Sequence, residues 1–197
     1  SMLSPDASVV AVDGDVVQQR TLGFRQGVQG GLETLGDYLA SPERLVEEVL
    51  QLLAAPECPS GTMDLVLASD QMMLQIHESV GHPLELDRIL GDERNYAGTS
   101  FVTPDMFGSF RYGSDLLNIT FDPTVDGELA SYGWDDLGTR AEKVWIIKDG
   151  ILMTPLGSAL SQARAGLAGT ANARACSWNR PPIDRMANLN LEPGTTP

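Results

Sequence analysis

Histidine is nearly missing from this sequence, with two among 197 residues. Cysteine is equally scarce. Cys58 and Cys176 stand far apart with no C-x-x-C pairing, which excludes a disulfide framework and points to a reducing, cytoplasmic setting. Basic residues are also few, 13 against 27 acidic ones, for a net charge of −14. That deficit excludes direct nucleic-acid binding, which wants a basic surface, and offers nothing to an anionic membrane. No apolar run approaches the roughly 20 residues of a membrane-spanning helix, and no basic-plus-apolar leader opens the chain. What is present is ordinary: 42% hydrophobic and 20% charged residues, enough to bury a core in one large domain or two small ones. Ser1-Met2 reads as the scar of a removed tag, so the chain is expected to be a piece of something longer.

Both histidines fall in one string, His77-Glu78-Ser79-Val80-Gly81-His82. Histidine is the commonest zinc-ligating side chain, and a glutamate beside one of a close pair is the usual general base of a zinc hydrolase. In the familiar H-E-x-x-H pattern the histidines are four apart and share a helical face. Here they are five apart, which on a regular helix turns the second about 140° away from the first. A shared ion therefore requires a distorted helix. Gly81 loosens the backbone before the second histidine, and Pro83 resists regular continuation after it, so a bulge or broken last turn is expected there. Without such a distortion the two histidines are unrelated passengers on a helix.

Around the string the punctuation is clear. Ser8–Val12 and Val16–Arg20 flank Asp13-Gly14-Asp15, so residues 8–28 read as a β-hairpin. Glycines between 23 and 36 suggest a loop. Ser41 as N-cap, Pro42 at the first position and an apolar face of Leu45, Val49, Leu52 and Leu53 predict a helix over 42–55. Met63–Leu67 reads as a short buried strand. Ser69 or Asp70 then caps the motif helix, whose Met72, Met73, Leu74, Ile76 and Val80 are assigned to core packing. Short strands and loops, Leu116–Phe121 among them, are expected over 91–142. Lys143–Lys148, Asp149-Gly150 and Ile151–Met153 form the best hairpin, followed by a helix near Ser158–Ala165 and an extended run through Arg185–Asn188. The class is α+β. Residues 1–60 read as the end of an α/β region, and 61–197 as the motif helix with the start of an antiparallel β-rich domain.

The order of several segments resembles the TldD/PmbA family, once described as modulators of DNA gyrase. They are Cys58-Pro59-x-Gly61, His77-Glu78-x-Val80-Gly81-His82-x-Leu84-Glu85-x-Asp87, Asp135-Asp136-x-Gly138-Thr139, Lys148-Asp149-Gly150-Ile151-Leu152, and Pro182-x-x-Arg185-Met186-x-Asn188. The resemblance implies a cytoplasmic zinc metallopeptidase of the HExxxH type acting on unfolded or modified peptides, as in microcin maturation and antitoxin turnover. His77 and His82 would be zinc ligands and Glu78 the general base. The family has two branches that pair as a heterodimer. This chain carries the histidines, so it resembles the TldD-like branch, with a TldE/PmbA-like partner. The family's third ligand is a cysteine near the far C-terminus, which is expected to lie outside this chain. Two ligands alone should hold zinc weakly, since catalytic sites use three plus water.

Within the chain, Cys176 has the chemistry to complete the site, although a plain structural role is the alternative. Glu85 and Asp87 could donate an oxygen, or orient a histidine through its second ring nitrogen. Asp135 and Asp136 are neighbours that would face opposite sides of a strand, so a turn or a substrate-amine contact accounts for them better than a shared acid–base task. Arg174, Arg180 and Arg185 read as surface ion-pair partners or as contacts to a peptide carboxylate. The rival to a peptidase is a non-catalytic scaffold that binds a partner subunit.

Overall fold

The computed structural model describes residues 1–22, 27–36 and 42–194. They are mixed α+β with antiparallel sheets, and the chain divides into two compact units, residues 1–72 and 73–197.

In the first unit, β1 (Met2–Leu3) pairs with β4 (Val28–Gln29), while β2 (Ser8–Asp13) and β3 (Val16–Thr21) form the expected hairpin. Gly14-Asp15 makes its two-residue turn, and Gly14 takes φ 57°, a left-handed value that a side chain would resist. The hairpin is shorter than residues 8–28. Residues 23–26 lie outside the described ones, and Val28 pairs with Leu3 instead of continuing β3. Helix α1 (Pro42–Ala54) begins at proline as expected and packs on β2 and β3. It buries Leu45 and Val49 while Leu52 stays exposed. Its proposed cap, Ser41, lies outside the described residues.

The expectation of a buried strand at Met63–Leu67 is not met. The segment is irregular, with Leu65 76% and Val66 95% exposed. A strand apolar on both faces is stable only when neighbours pair its edges and cover it. Among the described residues none supplies a backbone hydrogen bond to it.

Helix α2 (Ser69–Ile76) carries the chain across the division. Its start is set one residue earlier than expected: the Ala68 carbonyl accepts the Met72 N–H, and Asp70 Oδ1 accepts the Gln71 N–H inside the first turn. In the second unit, a four-stranded antiparallel sheet runs in the order β10-β5-β6-β7, comprising β5 (Ile119–Phe121), β6 (Val144–Lys148), β7 (Ile151–Leu152) and β10 (Leu189–Leu191). Asp149 and Gly150 both take positive φ, 49° and 73°, as the tight β6–β7 turn requires. Ile119, Phe121, Ile146, Ile147 and Leu152 from the sheet bury against Val80 and Leu84 of the motif segment, with Val102 and Leu156 closing the cluster. The apolar core thus grips the histidine string from beneath. Beyond it lie α3 (Leu86–Leu90), the single turn α4 (Arg94–Ala97) and α5 (Ala159–Ala165), capped at its end by Gly166. The small pair β8 (Ala173–Arg174) and β9 (Ile183–Asp184) completes the unit. No described helix is long and apolar enough to cross a membrane.

Candidate metal centre

The helix α2 does not continue regularly into the histidines. His77–Gly81 forms a π turn, in which the His82 N–H donates to the His77 carbonyl five residues back. One extra residue per turn brings position i+5 where i+4 would otherwise stand, so the awkward spacing becomes a shared face. The two imidazoles meet edge to face with ring centroids 4.5 Å apart. Ligand atoms of His77, Glu78 and His82 all lie within 4.8 Å of one another. A short 3₁₀ turn, His82–Leu84, follows, and Glu85 leaves it in extended backbone, where Leu86 donates to the Leu156 carbonyl and Leu156 to that of Leu84.

Of the two residues expected to distort the helix, Gly81 acts differently from expectation. Gly81 has ordinary helical dihedrals, φ −57° and ψ −68°, so it is not needed for backbone freedom. What it provides is space: a Cβ there would stand 2.3 Å from Met186 Sδ and 3.2 Å from Leu189 Cδ1, side-chain ends that would have to shift. The late segment therefore packs directly on the π turn. Pro83 removes the N–H that a regular helix would offer to the Ser79 carbonyl. Tyr112 fills that vacancy, its hydroxyl donating to Ser79 O at 2.5 Å, and burial pushes its phenol up to about 12. Local spacing and periodicity do not reveal that Tyr112 or Met186 touches the motif, because both contacts are long-range.

His77 and Glu78 are exposed to solvent, whereas His82 is largely covered. Glu78 Oε1 lies 3.9 Å from His77 Nε2. Partial burial, then the neighbouring His82 and Arg185, lower the His77 pKa against the opposing pull of Glu78, which favours the neutral imidazole that a metal ligand must present. Behind His82 stands Glu85, fully buried, with Oε2 2.8 Å from His82 Nδ1. Arg88 reaches the same carboxylate oxygen at 3.3 Å and Glu93 at 2.7 Å. Arg185 lies 3.9 Å from Glu85 and 4.0 Å from Glu93. Burial raises the Glu85 pKa, opposed first by the hydrogen bond from His82 and then by the charges around it.

Asp87 does not share this task. Its carboxylate accepts the backbone N–H of Arg88 at 2.6 Å and of Asp184 at 3.1 Å. Asp184 returns the bond, accepting from Asp87 N at 3.0 Å and from Ser158 N at 2.8 Å. This buried reciprocal pair, which ties α3 to β9, replaces the reading of Asp87 as a ligand or histidine-orienting group. Asp135 accepts from Leu137, Thr139 and Ala173 N–H groups, and Asp136 from Ala175 N. Both acids hold loops, in keeping with the turn reading. Cys58 and Cys176 are exposed free thiols, and neither belongs to the histidine group.

Residues 60–197 match the family described as the PmbA/TldA metallopeptidase C-terminal domain. The chain belongs to the TldD/PmbA family. A metalloprotease of Methanocaldococcus jannaschii is 35% identical over 177 residues, covering 89% of this chain and 36% of the relative. A protein of Saccharolobus solfataricus named a zinc metalloprotease TldD homolog is 28% identical, covering 94% and 40%. Among solved structures, TldE of Thermococcus kodakarensis superposes with a TM-score of 0.59 at 14% identity, over 93% of this chain and 39% of that one. At that identity the likeness is one of fold. The chain thus spans well under half the length of these TldD/PmbA relatives.

Proposed function

We propose that this chain carries the catalytic part of a zinc metallopeptidase that hydrolyses unfolded or modified peptides. The observation behind this reading is the π turn, which brings His77 and His82 to one face with Glu78 beside them. The donor set suits a divalent metal: two close imidazoles, one lowered in pKa and one backed by a buried carboxylate. His77 and His82 would hold zinc, which supplies the Lewis acidity that acidifies water and steadies a developing oxyanion. Glu78, exposed to solvent and next to His77, would take the proton of the attacking water and deliver it to the departing amine. A third ligand from elsewhere in the longer protein completes the set, in line with the family resemblance. The zinc name of the Saccharolobus relative supports the metal, and pairing with a homologous non-catalytic subunit in the cytoplasm is what the family resemblance implies. Residues 1–60 would then end an N-terminal α/β region and 61–197 begin the metal-site domain, as the family match from residue 60 suggests.

The test is Glu78→Gln in the full-length protein with its partner. Peptide hydrolysis is expected to fall at least about a hundredfold, the usual contribution of a general base, while zinc content stays at the wild-type level. Wild-type complex that binds no zinc and cleaves no peptide would leave the partner-binding scaffold as the better reading.

A further inference from the structure

The two candidate ligands are supported very differently. His77 is exposed to solvent, with Glu78 3.9 Å from its Nε2. His82 is held from behind by a side chain that lies outside the His77–His82 string. Glu85 is fully buried, and its Oε2 sits 2.8 Å from His82 Nδ1. Burying a carboxylate in this way is costly unless it is paired and hydrogen-bonded. Glu85 is paired: Arg88 lies 3.3 Å from Oε2, and Arg185 approaches Oε1 at 3.9 Å. Arg88 is in turn anchored by Glu93 at 2.7 Å. Two acids and two arginines thus form a charge-balanced support whose point of delivery is one histidine nitrogen.

We propose that Glu85 is a positioning residue that keeps the proton of His82 on Nδ1 and leaves Nε2 bare as the metal-binding atom. The two arginines beside it favour the ionised form of Glu85, and an ionised carboxylate accepts only, so the 2.8 Å contact then has Nδ1 as the donor. Arg88 Nη2 also stands 3.4 Å from Nδ1, where it would donate. That contact is long, and it follows from Arg88's own approach to Glu85 Oε2 at 3.3 Å. The shorter bond sets the tautomer. The backbone reinforces the arrangement, because Glu85 departs from the 3₁₀ turn in extended conformation and is bridged to Leu156. Its carboxylate is thereby returned to a histidine three residues back. Such carboxylate–histidine pairs raise the basicity of the ligand and fix the plane of the ring.

This inference rests on the zinc reading of the histidine pair, yet its first test needs no metal. In the metal-free chain at about pH 8, well above the ordinary histidine pKa of about 6.5, nitrogen-15 NMR reports which ring nitrogen is protonated. With two histidines in the chain, His77→Gln assigns the signals. His82 is expected as the Nδ1–H tautomer, and His77, which has no such partner, as a mixture dominated by the usual Nε2–H form. Glu85→Gln, which keeps the shape, should mix the His82 tautomers and weaken zinc binding about 10- to 100-fold in the full-length protein, measured against a chromophoric chelator. An Nε2–H tautomer at His82 in wild-type protein overturns the proposal, even if the Gln variant does not fold. Unchanged zinc affinity in a folded Gln variant overturns it while leaving the metal reading intact. A wild-type protein with no zinc affinity overturns both.

Discussion

Asp87 and Asp184 sit within hydrogen-bonding distance of each other's backbone N–H, at 7% and 1% exposure. Burial first, then the Asp184 charge, pushes the Asp87 carboxyl up to about 7. The sign follows from linkage. A carboxyl that holds its proton more tightly in the folded state adds stability that is complete below its unfolded pKa of about 4 and lost as pH climbs through 7. Between about pH 5 and pH 8 this pair should therefore remove on the order of 2–3 kcal/mol from the folding free energy. His77, with its lowered pKa, acts in the opposite sense, so the test compares slopes. Urea unfolding across that range should show a flatter pH dependence in Asp87→Asn than in wild type, on a lower baseline because an amide N–H would face a backbone donor. Parallel slopes would show that the pair is not the source.

At the scale of elements, the two hairpin turns look alike in sequence but not in consequence. Gly14 and Gly150 both adopt left-handed φ, at 57° and 73°. Around Gly14 a Cβ would meet nothing within 4 Å, whereas at Gly150 it would lie 2.3 Å from the Ser114 carbonyl oxygen and 2.6 Å from that of Gly113. Backbone atoms cannot swing aside as a side chain can. Gly14→Ala should cost about 1 kcal/mol from the dihedral alone. Gly150→Ala should cost about 3 kcal/mol or more, since the Ser114 loop and its bond from Leu117 must move as well. Thermal or urea unfolding measures both, and similar losses for the two would contradict the packing argument. The π turn makes the same point about the motif. Its irregularity could be anticipated from five-residue spacing, but Tyr112 and Met186, which make it tolerable, stand 33 and 105 positions away from Ser79 and Gly81 in the chain.

For the whole molecule, the feature with the clearest consequence is the stretch between α1 and α2. Residues 56–66 are exposed, and among the described residues no backbone hydrogen bond holds them. Local opening there has little to break. Limited proteolysis should cut first in this stretch, and a product beginning near Ser69 should retain the second unit's circular dichroism and its zinc affinity, because the core cluster and both histidines lie beyond the cut. Initial cleavage inside the β5–β7 region would contradict that ordering of stabilities. Within this molecule the local signals were legible from sequence: the α1 start at Pro42, the Asp149-Gly150 turn, the α5 segment and the histidine string itself, because each is set by dihedral preference, capping or short-range periodicity. The same local reasoning misread Met63–Leu67, whose apolar composition describes a strand only where neighbours exist to pair with it. It also left Glu85 and Asp87 with the same alternatives. Tertiary structure separated them, sending one carboxylate to the histidine and the other to Asp184, since where a buried charge finds its partner depends on chain segments 97 residues apart and not on spacing.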